Sequence, residues 1–587
     1  MKCYTRFVIV VTMIGSLVGC GEPEKKKADE AVVEAGFFQN ARLIPGDGSP
    51  ALENIFFTVE GGKITKIGTR QEVAAPKGAT HVDLEGQFTV MPVLINLHAH
   101  PGLAKAGSFG PQNYSRSSVI NDLNRYGYYG VQYVVALGSD TGDAAMQIRQ
   151  ERKEGKLEGA QLLTAGRGIT AKGGWPTPLL KDIPYEVSSE AEARKAVGEL
   201  AASKVDLIKI WVDDNMGQVP KLSPQISRAV IDEAHKRNLK AVAHVFYLAD
   251  AKELVAAGID GLVHSIRDRD VDDALINEMK AKNVFYTPTL TAHESKFTYA
   301  DKPSWIGEQS MREVYPAQLT AFLVDETVIG KIKRDPNLSK FREQYATAVK
   351  NLKKMADGGV RIALGTDSGI ANTFTGYFEH RELELMEAAG MTPSDVVKAA
   401  TSTPAAILGM ADNGTLAVGK NASFLILTAN PLEKARNSRE IYKIYVNGHE
   451  MDRPGILSKI ETDVPKVTDA DRQTERKAAA DDAQKKFDEK LPHFGKFPAG
   501  ETLRAGGFAV PTPKYSKASA KGNVVTVSYP PASAADLREF YVAAFPKFGA
   551  WTPAGACWER KHAVTGKLNS ACVETSNGQA IITVTEK

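Results

Sequence analysis

Six residues in this 587-residue chain have types and positions suited to holding metal ions. The apolar run Phe88-Thr-Val-Met-Pro-Val-Leu-Ile-Asn-Leu-His-Ala-His100 ends in two histidines spaced i, i+2. In a strand, residues i and i+2 point the same way, so His98 and His100 can offer two imidazoles to one cation. For such a pair alone, the alternative is two histidines at a strand edge. Downstream, Lys209 sits between Ile208 and Ile210, and His244, His264 and Asp367 close further apolar segments. Four of the eleven histidines thus fall at strand ends, where chance would scatter them over helices and loops. Imidazole and carboxylate are suitable donors for Zn²⁺. Lysine is the anomaly, because an ammonium on an inward strand face beside two cations is repelled and costly to desolvate. It makes sense as a neutral amine that has captured carbon dioxide, giving an anionic carbamate able to bridge two metals. The alternatives are a snorkelling or salt-bridged Lys209, and an Asp367 that is only a turn residue before Ser368-Gly369.

Positioning these donors requires a particular scaffold. Eight candidate strands run through the middle of the chain: 88–97, 131–137, 161–165, 207–212, 241–245, 261–264, 284–290 and 361–367. Helical patterns such as 223–238 and 249–258 lie between them. The alternation predicts an α/β fold, a (β/α)₈ TIM barrel over 88–410, whose chemistry sits at the C-terminal ends of the strands. Residues 301–355 exceed one helix and predict a helical insertion or lid. The flanks, 36–87 and 411–452, carry short alternating segments that predict one composite β-sandwich. Residues 453–499 read as a charged linker with a solvated helix over 469–490. Residues 500–587 read as a small α+β domain with a helix over 532–548, and nothing in it has catalytic spacing.

The chain is too long for one hydrophobic core and calls for two or three domains. A charged fraction of 24% and a formal net charge of +3 give no argument for nucleic acid or an anionic surface. No apolar run after residue 20 is long enough to span a bilayer. Residues 1–19 combine Lys2 and Arg6 with a short apolar core and small residues, which is an export signal. Leu17-Val-Gly-Cys20 resembles the bacterial lipobox, and that resemblance implies cleavage before a lipidated Cys20. The implied address is the cell envelope, lipid-anchored and facing the periplasm from the outer membrane, with 20–35 as a flexible tether. The alternative is an uncleaved membrane anchor. Cys557 and Cys572 remain; an oxidising compartment predicts a disulfide between them, the alternative being two free buried thiols.

The motifs together resemble the amidohydrolase superfamily over roughly 36–452. The matching pieces are Met91-Pro-Val-Leu-Ile-Asn-Leu-His-Ala-His100, Ile208-Lys-Ile210, Ala243-His244, Val263-His264, Gly365-Thr-Asp-Ser-Gly369 and Gly414-Thr-Leu-Ala-Val-Gly-Lys420. The pattern is most similar to binuclear, lysine-bridged members of the Xaa-Pro and Xaa-Arg dipeptidase-like branch. The resemblance implies His98 and His100 on a buried metal, and His244 and His264 on a more exposed one. It implies carboxylated Lys209 as the bridge and Asp367 as a buried-metal ligand and general acid/base. Two departures stand out: the family usually has Gly-Leu-Ile-Asp before the first histidine, whereas this chain has Val93-Leu-Ile-Asn96, so Asn96 supplies no carboxylate behind the ligands. The mechanism implied is attack of a metal-bridging hydroxide on an amide or peptide carbonyl, with Asp367 moving the proton. Arg167, Lys172, Tyr247, His293 and His380 are candidates for substrate contacts, Arg167 or Lys172 for a substrate carboxylate. The expected partner is a small molecule or short peptide, and an oligomer stays open. Two other readings stand beside this one: a one-metal deaminase or cyclic-amide or lactone hydrolase, and a non-catalytic envelope scaffold.

Overall fold

The computed structural model describes residues 35–105, 108–490, 493–494, 497–505, 508–513, 516–528, 533–545, 551–554, 557–561, 568–576 and 579–586. The export signal, Cys20 and the tether up to residue 34 lie outside the described residues. Among those described, no helix is long and apolar enough to cross a membrane. The chain forms two compact units. The first takes the residues up to Lys296 together with Trp305–Pro316 and Lys340–Asp463; the second takes Phe297–Ser304, Ala317–Ser339 and the chain from Val464 onward.

In the first unit, strands from both flanks share one eight-stranded sheet. Gly36–Leu43, Leu52–Glu60 and Lys63–Gly68 come from one side, and Phe424–Leu427, Ile441–Val446 and His449–Glu450 from the other. Its core is aromatic: Phe38 stacks on Phe57 with ring centroids 4.5 Å apart, and Phe424 stacks on Tyr445 at 5.0 Å. The apolar run before His98, expected as one strand over 88–97, divides. Thr89–Pro92 pairs with Phe424–Leu427 in the mixed sheet, whereas Leu94–Ala99 pairs with Val131–Ala136. Val93 still donates to the Ser423 carbonyl, and Leu94 already donates to Gly130. Every residue of both halves is buried, so apolar composition carries no mark of the change of sheet.

The donors are carried by parallel strands in two ladders. One contains Gln161–Thr164, Val131–Ala136 and Leu94–Ala99; the other runs from Tyr185–Val187 and Ile169–Ala171 through Leu207–Val212, Lys240–Val245, Gly261–Val263 and Phe285–Thr287 to Arg361–Ile362. The short strands at 169–171 and 185–187 were not anticipated. The expected strand 361–367 shortens to two residues, and 284–290 gives way to a helix at Leu290–Glu294. Beyond Ile362 the chain still bonds to its neighbours: Leu97 donates to the Leu364 carbonyl and Asp367 to that of His98. Gly365 and a left-handed Asp367, φ 61°, interrupt the ladder there. Helices return the chain between strands. Pro224–Lys236 starts where expected because the Ser223 side chain accepts from the Ile226 N–H and Pro224 needs no donor.

In the second unit, a six-stranded antiparallel sheet packs with Ala534–Ala544, a shorter helix than expected. The disulfide Cys557–Cys572 is present and joins directly opposed residues of adjacent strands. Asp469–Lys490 is a helix as anticipated, but not a purely solvated one. Glu475 is buried and pairs with Arg334, and Arg472 lies 3.2 Å from Asp325. Much of the expected insertion also belongs to this unit, as Ala317–Leu323 and Glu326–Lys333.

Candidate metal centre

His98, His264 and Asp367 offer ligand atoms that all lie within 4.8 Å of one another, and all three side chains are buried. His98 and His100 emerge from the same strand face, and their Nε2 atoms lie 3.1 Å and 2.9 Å from Asp367 Oδ1. His264 takes a left-handed backbone, φ 73°, just past Gly261–Val263 and brings its ring to 4.6 Å from that of His98. His244, on Lys240–Val245, packs its ring 4.2 Å from His264. Left-handed non-glycine residues cost roughly 1–3 kcal/mol each and persist where their surroundings over-determine them. Here His264 and Asp367 both adopt that strained backbone and face one point.

Lys209 lies on the wholly buried strand Leu207–Val212 with its Nζ 3.5 Å from His98 Nε2 and 5.4 Å from the Trp211 ring. It has no exposed surface, and among the described residues it forms no ion pair. Glycines on the neighbouring segments make room: a Cβ at Gly168 would lie 2.0 Å from the Trp211 ring, and one at Gly138 would lie 3.0 Å from Lys209 Cγ. Burial pulls the Lys209 ammonium down to about 7, against the charge of Asp367. Burial, and then Lys209, hold the His98 imidazole at about 3. For Asp367, burial would raise the carboxyl, but the imidazoles of His98 and His264 and the bonds from His100 and His98 keep it well below the carboxylate range.

Most of these imidazoles are anchored through one nitrogen. His100 Nδ1 meets Ser139 Oγ at 2.8 Å, His264 Nδ1 meets Thr289 Oγ1 at 2.8 Å, and His244 Nε2 meets Asp213 Oδ2 at 2.7 Å. That is the arrangement of metal-ligating histidines, whose second nitrogen is held by a hydroxyl, carbonyl or carboxylate. His98 Nδ1 is buried without a hydrogen-bond partner among the described residues. Burial raises the Asp213 carboxyl, yet the bond and charge of His244 outweigh it and hold it at about 2. On the imidazole side burial wins over Asp213, and His244 titrates lower than usual. Four imidazoles, a carboxylate and a buried lysine that forms no ion pair among the described residues are a donor set that fits divalent cations.

The centre opens into a cavity of about 380 Å³. His293 lines it, with its ring 6.0 Å from that of His264. The other candidate substrate residues are engaged elsewhere. Arg167 donates to the carbonyls of Ile183, Asp182 and Pro184 and stacks 3.9 Å over Tyr185, so it braces a loop. Lys172 is solvent-exposed and away from the cavity wall. Tyr247 donates to Asp214 at 2.8 Å, beside the wall. His380 lies in Tyr377–Ala388, fully buried between Ser438 Oγ and the Tyr129 carbonyl, each at 2.8 Å, and is structural. Sequence reasoning missed Asp213 and Arg267, both buried and both on the cavity wall. Asp213 was within reach, since it directly follows the strand that carries Lys209. Arg267 had no such signal: it lies in a loop, held by the carbonyls of Val245 and Ser265 at 3.2 Å and 2.8 Å.

A buried histidine–carboxylate cluster at the ends of parallel strands defines a metal-centre class of α/β protein. Residues 89–451 match the amidohydrolase family, and the chain belongs to it. It is a hydrolase acting on carbon–nitrogen bonds, from a family that is typically metal-dependent. It is 27% identical over 453 residues to the ochratoxinase of Aspergillus niger, covering 70% of this chain and 86% of that protein. A Bifidobacterium longum protein assigned as a prolidase superposes with a TM-score of 0.58 at 26% identity, over 76% of this chain and 99% of the other. A Xaa-Pro dipeptidase with bound methionine superposes at 0.59 and 22% identity, over 71% and 100%. These neighbours make the fold TIM-barrel-like.

Proposed function

We propose that the chain hydrolyses the amide bond of a small substrate that carries a carboxylate and a bulky apolar group, such as a dipeptide or an N-acyl amino acid. The observation that carries this is the convergence of His98, His264 and Asp367 beside a buried Lys209 that forms no ion pair among the described residues. In this reading the parallel strands close as a (β/α)₈ barrel capped by the composite β-sandwich. His98, His100 and Asp367 would hold one divalent cation and His244 and His264 a second, with Lys209, carboxylated to a carbamate, as a shared anionic ligand. Carbamate formation consumes the neutral amine and carbon dioxide and releases one proton. The cations, Zn²⁺ in the first instance, supply Lewis acidity and an acidified water when bound.

The remaining work falls to side chains. Asp367 Oδ1 faces His98 and His100, on the side where a cation would be held, which leaves Oδ2 to take a proton and deliver it to the leaving nitrogen. Arg267 supports recognition of the carboxylate. Trp175, Leu179, Leu180 and Trp211 support an apolar group and exclude water. The activities that give two neighbours their names, on Xaa-Pro dipeptides and on ochratoxin, are consistent with this substrate class. A one-metal deaminase or cyclic-amide hydrolase is the second reading, favoured by the fact that only three of the described residues form the tight donor cluster. Metal analysis of the wild type and Lys209→Ala separates them. Two cations per chain falling to one or none supports the binuclear reading; a single cation unchanged by the substitution overturns it. We further infer, from residues 1–20 alone, a lipid-anchored protein of the cell envelope. Mass analysis of membrane-extracted protein would reveal a diacylglyceryl adduct on Cys20 or exclude it.

A further inference from the structure

Asn96 and Glu379 form the floor beneath the candidate metal centre. Asn96 lies two residues before His98, on the same strand. Its Oδ1 accepts the His98 backbone N–H at 2.9 Å, and its Nδ2 donates to Glu379 Oε1 at 2.7 Å. Glu379 comes from a different element, the helix Tyr377–Ala388. The hydroxyls of Thr366 and Ser368, on either side of Asp367, both reach the same Oε1 at 2.6 Å. Tyr126 Oη lies 2.6 Å from Ser368 Oγ, and the Gly376 N–H donates to Oε2 at 2.7 Å. All four of Asn96, Thr366, Ser368 and Glu379 are fully buried, and among the described residues Glu379 forms no ion pair. A buried carboxylate with no cation beside it is costly unless something nearby uses its charge.

We propose that Glu379 is a positioning residue that supplies, from the helix, the carboxylate that Asn96 lacks. It orients the ligand-bearing segments at His98 and Asp367 and adds negative charge beneath the cations. This rests on the metal-centre reading above. The exchange explains both amide and acid. The carboxamide of Asn96 bridges two partners: its oxygen matches the backbone donor of His98, and its nitrogen matches Glu379. An aspartate in place of Asn96, facing Glu379, would put two carboxylates in contact, which cannot both ionise.

The geometry makes a sharp test. In Glu379→Gln, one end of the introduced amide must face Asn96 and the other Gly376. If its oxygen keeps the Asn96, Thr366 and Ser368 donors, its nitrogen points at the Gly376 N–H; the flipped amide puts that nitrogen against the Asn96 amide. Adding Asn96→Asp resolves this. In the double variant the introduced amide nitrogen donates to the introduced carboxylate, and the amide oxygen accepts from Gly376. The same carboxylate still accepts from the His98 N–H. The readouts are Zn²⁺ affinity by competition with a chelating dye and the melting temperature of the metal-free protein. Loss of a partner behind a metal ligand weakens metal affinity about 10–100-fold. We expect that loss in Glu379→Gln, and recovery to within about threefold of wild type in the double variant. Asn96→Asp alone should bind more weakly than the double variant. Wild-type affinity in Glu379→Gln would overturn the proposal, as would a double variant whose metal-free melting temperature recovers while its affinity does not. If the wild type itself binds no divalent cation, the metal-centre reading falls, and this proposal with it.

Discussion

The strand ends at the metal centre and the sheet core of the second unit are filled in opposite ways. At those strand ends, Lys209, His98, Glu379 and Glu382 are buried, and each carboxylate is surrounded by donors. In the second, the interior is Val525, Val527, Leu537, Phe540, Ile582 and Val584, and Phe545 stacks on Trp558 at 5.0 Å. There the Tyr541 hydroxyl is buried without a hydrogen-bond partner among the described residues. A polar interior is intolerant, because every unmatched charge carries its full desolvation cost, whereas an apolar one tolerates a stray hydroxyl for about 1–3 kcal/mol. The first interior is shaped for chemistry, and the second for packing and a covalent link.

The largest effect should follow from Asp367→Asn. It keeps the shape, removes the charge that His98 and His100 share, and removes the proton acceptor. A fall in kcat/KM of about 10³-fold, roughly 4 kcal/mol of transition-state stabilisation, is expected with dipeptide or N-acyl amino acid substrates. Retained activity would break the contrast at its strongest point. Next comes Glu382, which accepts from the Leu290 and Thr291 N–H groups, both at 2.7 Å. Burial raises its carboxyl from 4.5 to about 7, against those bonds. An acid raised in the folded state stabilises the fold fully below its unfolded value and loses that contribution as pH rises through the folded one. Wild-type stability relative to Glu382→Gln should therefore fall by about 3 kcal/mol between pH 4.5 and 7, and level off above. Urea unfolding of both proteins across that range would show it; a constant difference would mean that the buried acid does not titrate there.

How much of this was legible in the sequence depends on period and proximity. His98 and His100 announce themselves because strand period 2 is short and their run is uniformly apolar. Lys209 is conspicuous because a lysine between isoleucines conflicts with burial. The division of that same apolar run at Val93 left no trace, since both sheets bury both faces. The left-handed turns at His264 and Asp367 also have no sequence mark, as neither is glycine. Glu379 was illegible for another reason: 283 residues separate it from Asn96, and only the fold makes them neighbours. Arg167 and His380 were misplaced because nearness to a strand end in sequence does not say which way a side chain turns. The charged helix Asp469–Lys490 was legible as a helix, but its pairing with Arg334 was not.

In the apolar interior, the covalent link should matter more than any one polar contact. The double variant Cys557→Ser/Cys572→Ser opens a loop with a sequence separation of 15, worth about 3 kcal/mol in the chain-entropy account. Hydrogen exchange should lose protection along Cys557–Lys561 and Leu568–Ser576, the strands that the bond joins. Unchanged protection there would mean that packing alone sets local stability.

The smallest effect sharpens the contrast most. Asp213→Asn leaves an acceptor within reach of His244 Nε2 but removes the charge that stands 2.7 Å away. If Asp213 only fills space, as a residue of the second interior would, the variant should behave as wild type. If it holds the His244 ring so that Nδ1 faces the cation, the carboxamide holds it less firmly and can also present its amine side. Metal affinity should then weaken about 10–100-fold. The metal-free protein should also lose up to about 2 kcal/mol of stability, because the charge that His244 and Arg267 favour at Asp213 is removed. Added cation should restore kcat, since what is lost is retention of the metal and not the chemistry. A defect that saturating cation leaves uncorrected would place Asp213 among the groups that touch substrate, and would move it from the support of the centre to its working face.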